Sequence, residues 1–266
     1  MTVNKNSLRW IYIALALISG LLIPHVGHAV TLEMGFIETD AKPFKWRKNG
    51  KFIGPFLDIM DEAARRVGIV IKTRPLPSKR LLFYLERGNT DGAFGLTQTA
   101  KRKDFAVYAD TPIGWTATHV FARKGEEIPF RSLSDLYGKK IAVVLGINLG
   151  AAFNKADKDG KFKILRVRNY SNLSKVLSLE RVEIAIAPTA PFLAEADKLG
   201  LTNSVAKLPA AFVPFRRLHV MFSKAAPFPH KKKLLAKLNK ALSDMQKQKE
   251  FDKIYRKYGF LLDPRN

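Results

Sequence analysis

Residues 91–112 hold the chemistry most readily read from this chain. An apolar run, Ala93 to Leu96, follows the turn residues Asp91-Gly92, then breaks into polar Thr97 and Thr99, with Arg102 three residues beyond. A strand end that meets a fixed cation is a place to hold an anion. Arg102 has a plainer alternative as a surface cation beside Lys101 and Lys103, and Thr97 as a threonine capping its own turn. Covalent catalysis has little to work with. The chain has no Gly-x-Ser-x-Gly elbow, no phosphate loop and no His-Glu-x-x-His. Of five histidines, His25 and His28 fall in the N-terminal segment, and His119, His219 and His230 stand singly without metal-ligand spacing. No cofactor and no metal are expected.

The elements that must position these residues alternate between strand and helix. A strand is predicted over 31–37. Leu57, Met60, Ala64 and Val67 then share one helix face that ends at Gly68. A strand over 69–73, a helix over 80–87 stopped by Gly88 and a strand over 93–96 complete a βαβαβ order. The pattern restarts after 119–122: Ser134 caps a helical turn, strands follow over 140–145, 162–167 and 182–187, and helices lie over 149–156 and 173–179. A further strand is predicted over 218–222. Each unit implies a parallel pair with a crossover helix, so two separate α/β sheets are the economical expectation.

The N-terminus predicts where the protein works. Lys5 and Arg9 precede an apolar run over 10–23, Pro24 breaks it, and Gly27-His28-Ala29 is a small-x-small cleavage site, so residues 1–29 read as a signal peptide cut after Ala29. The run is shorter than the roughly 20 residues of a spanning helix; an uncleaved anchor is the alternative. The chain contains no cysteine, which excludes disulfide frameworks and thiol chemistry and suits an oxidising compartment. The formal charge is +23, and without residues 1–29 there remain 44 basic against 23 acidic residues, or +21. Such a field raises encounter rates with anions by about tenfold or more at low salt. Nucleic acid is not the expected partner. The basic residues spread from Lys42 to Arg265, and the densest run, 231–257, carries Leu234, Leu235, Leu238, Ala241, Leu242 and Met245 at helical spacing, which makes its lysines a solvated face. The alternative is a basic surface for anionic envelope polymer or lipid.

Several motifs together carry a resemblance. Pro43-Phe44, residues 50–58, 85–91, Thr99 to Arg102 with Pro112, the run Ser132-Leu133-Ser134-Asp135-Leu136-Tyr137-Gly138-Lys139-Lys140 and residues 251–259 are similar, in order and spacing over about 31–262, to the family 3 extracellular solute-binding proteins of bacterial transporters. The resemblance implies a two-lobed type II periplasmic binding protein fold: two α/β sheets joined by two hinge crossovers, with residues 30–119 and 216–266 in the first lobe and 120–215 in the second. It implies a monomer that traps a small amino acid-like or anionic ligand by lobe closure in the periplasm and presents it to the membrane permease of an ABC transporter. A few proteins of this fold class are dehydratases, which need an acid in the cleft; Glu38 and Asp40 are the residues to inspect for it.

The resemblance also assigns a site. Arg102 matches the arginine that clamps a ligand carboxylate, where a planar fork meets two oxygens and charged hydrogen bonds contribute about 1.5–3 kcal/mol each. Thr97 matches a position that offers a hydroxyl or amide to the same ligand. Gly146-Ile147-Asn148 falls at a helix start whose N–H groups and dipole favour an anion, although Asn148 could simply cap that helix. The departures bear on the substrate. Where amino-acid binders usually place an aspartate for the α-ammonium, this chain has Pro188 followed by Thr189; Glu183 lies at the strand's start. Ala41 and Ser78 replace usual aromatics, and Lys79 and Arg80 add positive charge. The expected ligand therefore shifts from zwitterion toward anion, with Phe44, Trp46 and Trp115 as candidate apolar walls.

Overall fold

The computed structural model describes residues 29–262. All but the last residue of the expected export signal lies outside the described residues. Strand β1 (Thr31–Ile37) is followed by the short hairpin β2 (Trp46–Lys48) and β3 (Lys51–Ile53), then by helix α1 (Pro55–Val67). Pro55 occupies the first turn of α1, where its missing N–H costs nothing, and Gly68 at φ 72° ends the helix in the left-handed conformation that glycine adopts freely. Strand β4 (Val70–Leu76), helix α2 (Ser78–Arg87), strand β5 (Gly92–Thr97), the short helix α3 (Ala100–Phe105) and strand β6 (Ala106–Tyr108) complete the first α/β unit. The β1 strand pairs in parallel with both β4 and β5, as the βαβαβ order requires.

The chain leaves this unit along β7 (Gly114–Arg123). A 3-10 turn (Leu133–Leu136) follows, and here the structure corrects the sequence reading: Ser132, not Ser134, is the capping residue, in a reciprocal box with Asp135. The second unit contains β8 (Lys140–Val144), α4 (Ala151–Lys158), β9 (Lys163–Val167), α5 (Tyr170–Ser178), β10 (Ile184–Pro188) and α6 (Thr189–Lys198). Its β8 strand pairs in parallel with β9 and β10. Strand β11 (Val205–Ser223) then returns to the first unit, ahead of α7 (Lys231–Lys247) and α8 (Glu250–Lys257).

The order β4-β1-β5-β11-β7-β10-β8-β9 shows two parallel groups joined by the antiparallel pair β11 and β7. The two α/β sheets are thus hydrogen-bonded through their crossovers instead of standing apart. The physical reason is satisfaction of the backbone: two extended segments crossing side by side exchange the N–H and C=O bonds that each would otherwise leave to solvent. Pro209 and Pro214 lie inside β11, and the register shifts between Lys207 and Ala211, between Ala211 and Val213 and between Val213 and Arg216 absorb them.

Both units bury their own core. In the first, Met34, Phe36 and Phe94 pack with Ile59 and Met60 of α1 and with Leu238, Leu242 and Phe251 of α7 and α8. In the second, Val120, Ile141 and Ile184 bury one sheet face and Ala142, Ala185 and Phe192 the other, the two-sided burial expected of a parallel sheet. On α7 the residues Leu234, Leu238, Ala241, Leu242 and Met245 are buried, while Lys232, Lys233 and Lys237 face solvent. That is the solvated basic face read from the sequence. No helix among the described residues is long and apolar enough to cross a membrane.

Candidate functional site

The exits of four strands converge on one cavity of about 160 Å³ between the two units. Ile37 ends β1, Thr97 ends β5, Val144 ends β8 and Pro188 ends β10, and all four line it. This is where open α/β sheets leave room for a ligand. The units touch beside it: Ser78 Oγ at the start of α2 donates to the Gly146 carbonyl at 3.3 Å.

Arg102 lines this cavity, held by a local device that the sequence encodes. Thr99 caps α3, its hydroxyl accepting from the Arg102 backbone N–H at 3.2 Å. The guanidinium then turns back: Nη1 donates to the Thr97 carbonyl at 2.7 Å and to its hydroxyl at 3.3 Å. Tyr108 donates to the same carbonyl at 3.2 Å. Arg102 is only 8 % exposed, and no ion pair among the described residues includes it. Burial lowers its pKa, an effect partly offset by Tyr108. A buried cation with unspent donors and no carboxylate beside it is costly unless an anion arrives.

The rest of the lining is chiefly apolar. Phe44, predicted as a wall, is buried with its ring stacked on Phe56 at 5.0 Å, and Phe94, Val144 and Val213 join them. Ile147 and Asn148 line the cavity from the second unit. Asn148 is not the cap of α4: that position is Gly150, whose N–H donates to Asn148 Oδ1 at 3.2 Å in a turn one step earlier. Ala41 and Pro188 line the cavity where aromatic and acidic residues were expected of amino-acid binders.

Four predicted residues lie elsewhere. Arg80 is exposed on α2, outside the lining. Trp46 packs edge-on against Tyr258 and Phe260, which draws it away from the cleft toward the C-terminal helix. Thr189 bonds to the crossover strand β7, donating to the Ala117 carbonyl at 3.1 Å and meeting His119 Nδ1 at 2.7 Å. Trp115 lines an adjoining outer groove of about 1390 Å³, under the Arg217 guanidinium at 5.2 Å. Glu183 sits at the surface, accepting from the Lys140 N–H at 2.9 Å.

Two basic cavity residues, Lys45 and Arg216, were not singled out from the sequence. Lys45 is 6 % exposed, donates Nζ to the Thr39 carbonyl and lies over the Phe36 and Phe52 rings at 5.3 Å. Burial, opposed by Asp40 and aided by Arg47, pulls its pKa down to about 7. Arg216, on β11, is part-buried and lines both the inner cavity and the outer groove. Neither carried a signal in a chain with 46 basic residues. Among the described residues that line the inner cavity there is no aspartate or glutamate, Glu38 and Asp40 included. His119 and His219 have their pKa lowered by burial, and His219 Nδ1 bonds the Ala109 carbonyl at 3.0 Å. No metal-binding cluster occurs among the described residues.

Comparisons with known proteins agree with this architecture. The chain is 29% identical over 250 residues to PatH of Vibrio harveyi, named for binding in an amino-acid ABC transporter, covering 92% of this chain and 94% of that one. It is 26% identical over 220 residues to the arginine-binding extracellular protein ArtP of Bacillus subtilis (strain 168), covering 82% of each. An ancestral arginine-binding protein bound to arginine superposes with a TM-score of 0.73 at 28% identity, covering 86% of this chain and 98% of that one. Residues 34–261 match the profile of the bacterial extracellular solute-binding proteins, family 3, and the chain belongs to that family.

Proposed function

We propose that this protein captures a small carboxylate-bearing or otherwise anionic solute in the cleft, by closure of its two lobes, and delivers it to an ABC-type permease. The lobe boundaries fall along the paired crossovers, near residues 119 and 216. The observation that carries the reading is Arg102: a buried guanidinium that lines the cavity, has donors to spare and lacks a carboxylate partner among the described residues. The exported form works as a monomer in the periplasm, its signal removed after Ala29. Its excess positive charge steers anions toward the cleft, and the solvated lysines of α7 give no reason to invoke nucleic acid.

Two of the similar proteins are named for binding arginine, but an arginine ligand would bring two cationic groups to a cavity without an acid. The same lack of an acid speaks against a dehydratase. The test is a thermal-shift screen of amino acids, small carboxylates and other anions, followed by titration of any hit on the wild type and on Arg102→Ala. A true ligand raises the melting temperature by mass action. Arg102→Ala should weaken its binding by about tenfold or more, corresponding to about 1.4 kcal/mol. Unchanged affinity would refute the assignment.

A further inference from the structure

The inner cavity and the outer groove meet at a throat, and the residues common to both linings are Thr97, Arg102, Asn148 and Arg216. All four are polar and two are guanidinium-bearing. Behind the throat, the wall is made by Phe44, Phe56, Phe94, Val144, Pro188 and Val213, with threonines and Lys45 as polar interruptions. Apart from Lys45, the basic residues that line the cavity therefore lie at the opening and the apolar ones behind it.

We propose that Arg216 joins Arg102 in holding the anionic head of the solute at this throat, and that the body behind the head is compact, apolar and free of any ammonium group: an aromatic or branched aliphatic carboxylate, or its 2-oxo analogue. This inference rests on the reading of the cleft as an anion trap and narrows it to a chemical class. The size argument comes from volume, since about 160 Å³ is close to the roughly 150 Å³ of an apolar cavity that takes up benzene. The ammonium argument comes from charge. An α-amino acid held by its carboxylate at the throat with its body inward carries its ammonium on the inner side of the same cationic residues, where no aspartate or glutamate lines the cavity to pair it; Glu86 and Asp110 line only the outer groove. A like charge placed there without a partner is rejected. Arg216 itself takes part in none of the ion pairs among the described residues, so it is available to the head group.

The experiment is calorimetric titration of the full chain with matched pairs: 4-methylpentanoate against leucine, 3-phenylpropanoate against phenylalanine and 4-methyl-2-oxopentanoate against leucine, with benzoate, succinate and arginine beside them. The ammonium-free acid of at least one pair should bind tenfold or more tighter than its amino counterpart. Arg216→Gln should weaken that acid about tenfold and Arg216→Lys less, with the ligand-free melting temperature of each variant measured to exclude misfolding. Leucine, phenylalanine or arginine binding as tightly as the acids would overturn the ammonium-free class, yet leave the anion trap standing if Arg102→Ala abolishes that binding. Succinate outcompeting the monocarboxylates would overturn the apolar body. Affinity for the best acid unchanged in Arg216→Gln would remove Arg216 from the site. If none of these compounds binds, the proposed class is wrong, and the broader anion screen judges the trap separately.

Discussion

Closure can be tested at Gly146, where the two units touch beside the cavity. A Cβ built on Gly146 would lie 2.5 Å from Ser78 Cβ and 2.6 Å from its Oγ, well inside contact distance. Gly146 also has φ 80°, a conformation that costs a residue with a side chain about 1–2 kcal/mol. Gly146→Ala thus carries two separable penalties. The backbone strain is present whether the lobes are open or shut, and lowers stability without ligand. The clash exists only when the lobes meet, because Ser78 and Gly146 belong to different units. Overpacking of this kind costs roughly 1–3 kcal/mol, which corresponds to an affinity loss of about five- to 150-fold. The assay is titration with a ligand found by screening, on Gly146→Ala, Ser78→Gly and the double variant. Ser78→Gly/Gly146→Ala should recover most of the lost affinity but none of the lost melting temperature, a coupling that the double-mutant cycle isolates. Equal affinity in Gly146→Ala and wild type would show that the bound form does not bring these residues together, and the closure argument would fail.

Other outcomes follow from buried groups. Lys45 binds fewer protons folded than unfolded, so the chain gains stability as pH rises from about 7 toward 10.5, by about 1.4 kcal/mol per pH unit. Lys45→Met, which has no such slope, should be more stable than wild type at pH 7 by denaturant unfolding, with an advantage that shrinks by about 2 kcal/mol or more at pH 9; a constant difference would refute the neutral amine. Arg102→Met, which removes a buried cation lacking an acidic partner, should lose ligand binding while its ligand-free melting temperature stays at or above the wild-type value. Tyr255 is fully buried and its hydroxyl donates to the Ile113 carbonyl at 2.9 Å, just before the first crossover. Tyr255→Phe should cost about 1–3 kcal/mol in denaturant unfolding by leaving that carbonyl unpaired.

Much of this architecture was legible because local rules and burial agreed. The apolar face of α1 and its glycine stop, the alternation of strands and helices, and the buried stripe of α7 all follow from periodicity. The Thr-x-x-Arg spacing marked Arg102, and capping explains its placement: Thr99 starts the turn that swings the guanidinium back over Thr97. Strand β11 was read only over 218–222, because two prolines upstream argue against a strand, and nothing local shows that bulges opposite β7 accommodate them. Arg216 was lost with that segment. Lys45 was missed for another reason, since its burial depends on Phe36 and Phe52 arriving from separate strands. Trp46 and Trp115 have the residue type of a cleft wall, but their neighbours Tyr258 and Arg217 decide otherwise.

The paired crossovers would also set how capture is timed under the proposed closure. Arg216 lies on β11 of the paired crossovers, so if the proposed closure pivots on that ribbon, its reach to an arriving head group would change little as the jaws swing. A guanidinium at the axle can greet the solute while the molecule is still agape, and the apolar wall grips only afterwards. Arrival would then answer to ionic strength and departure to the greasy surface that closing hides, two dials that selection could turn independently.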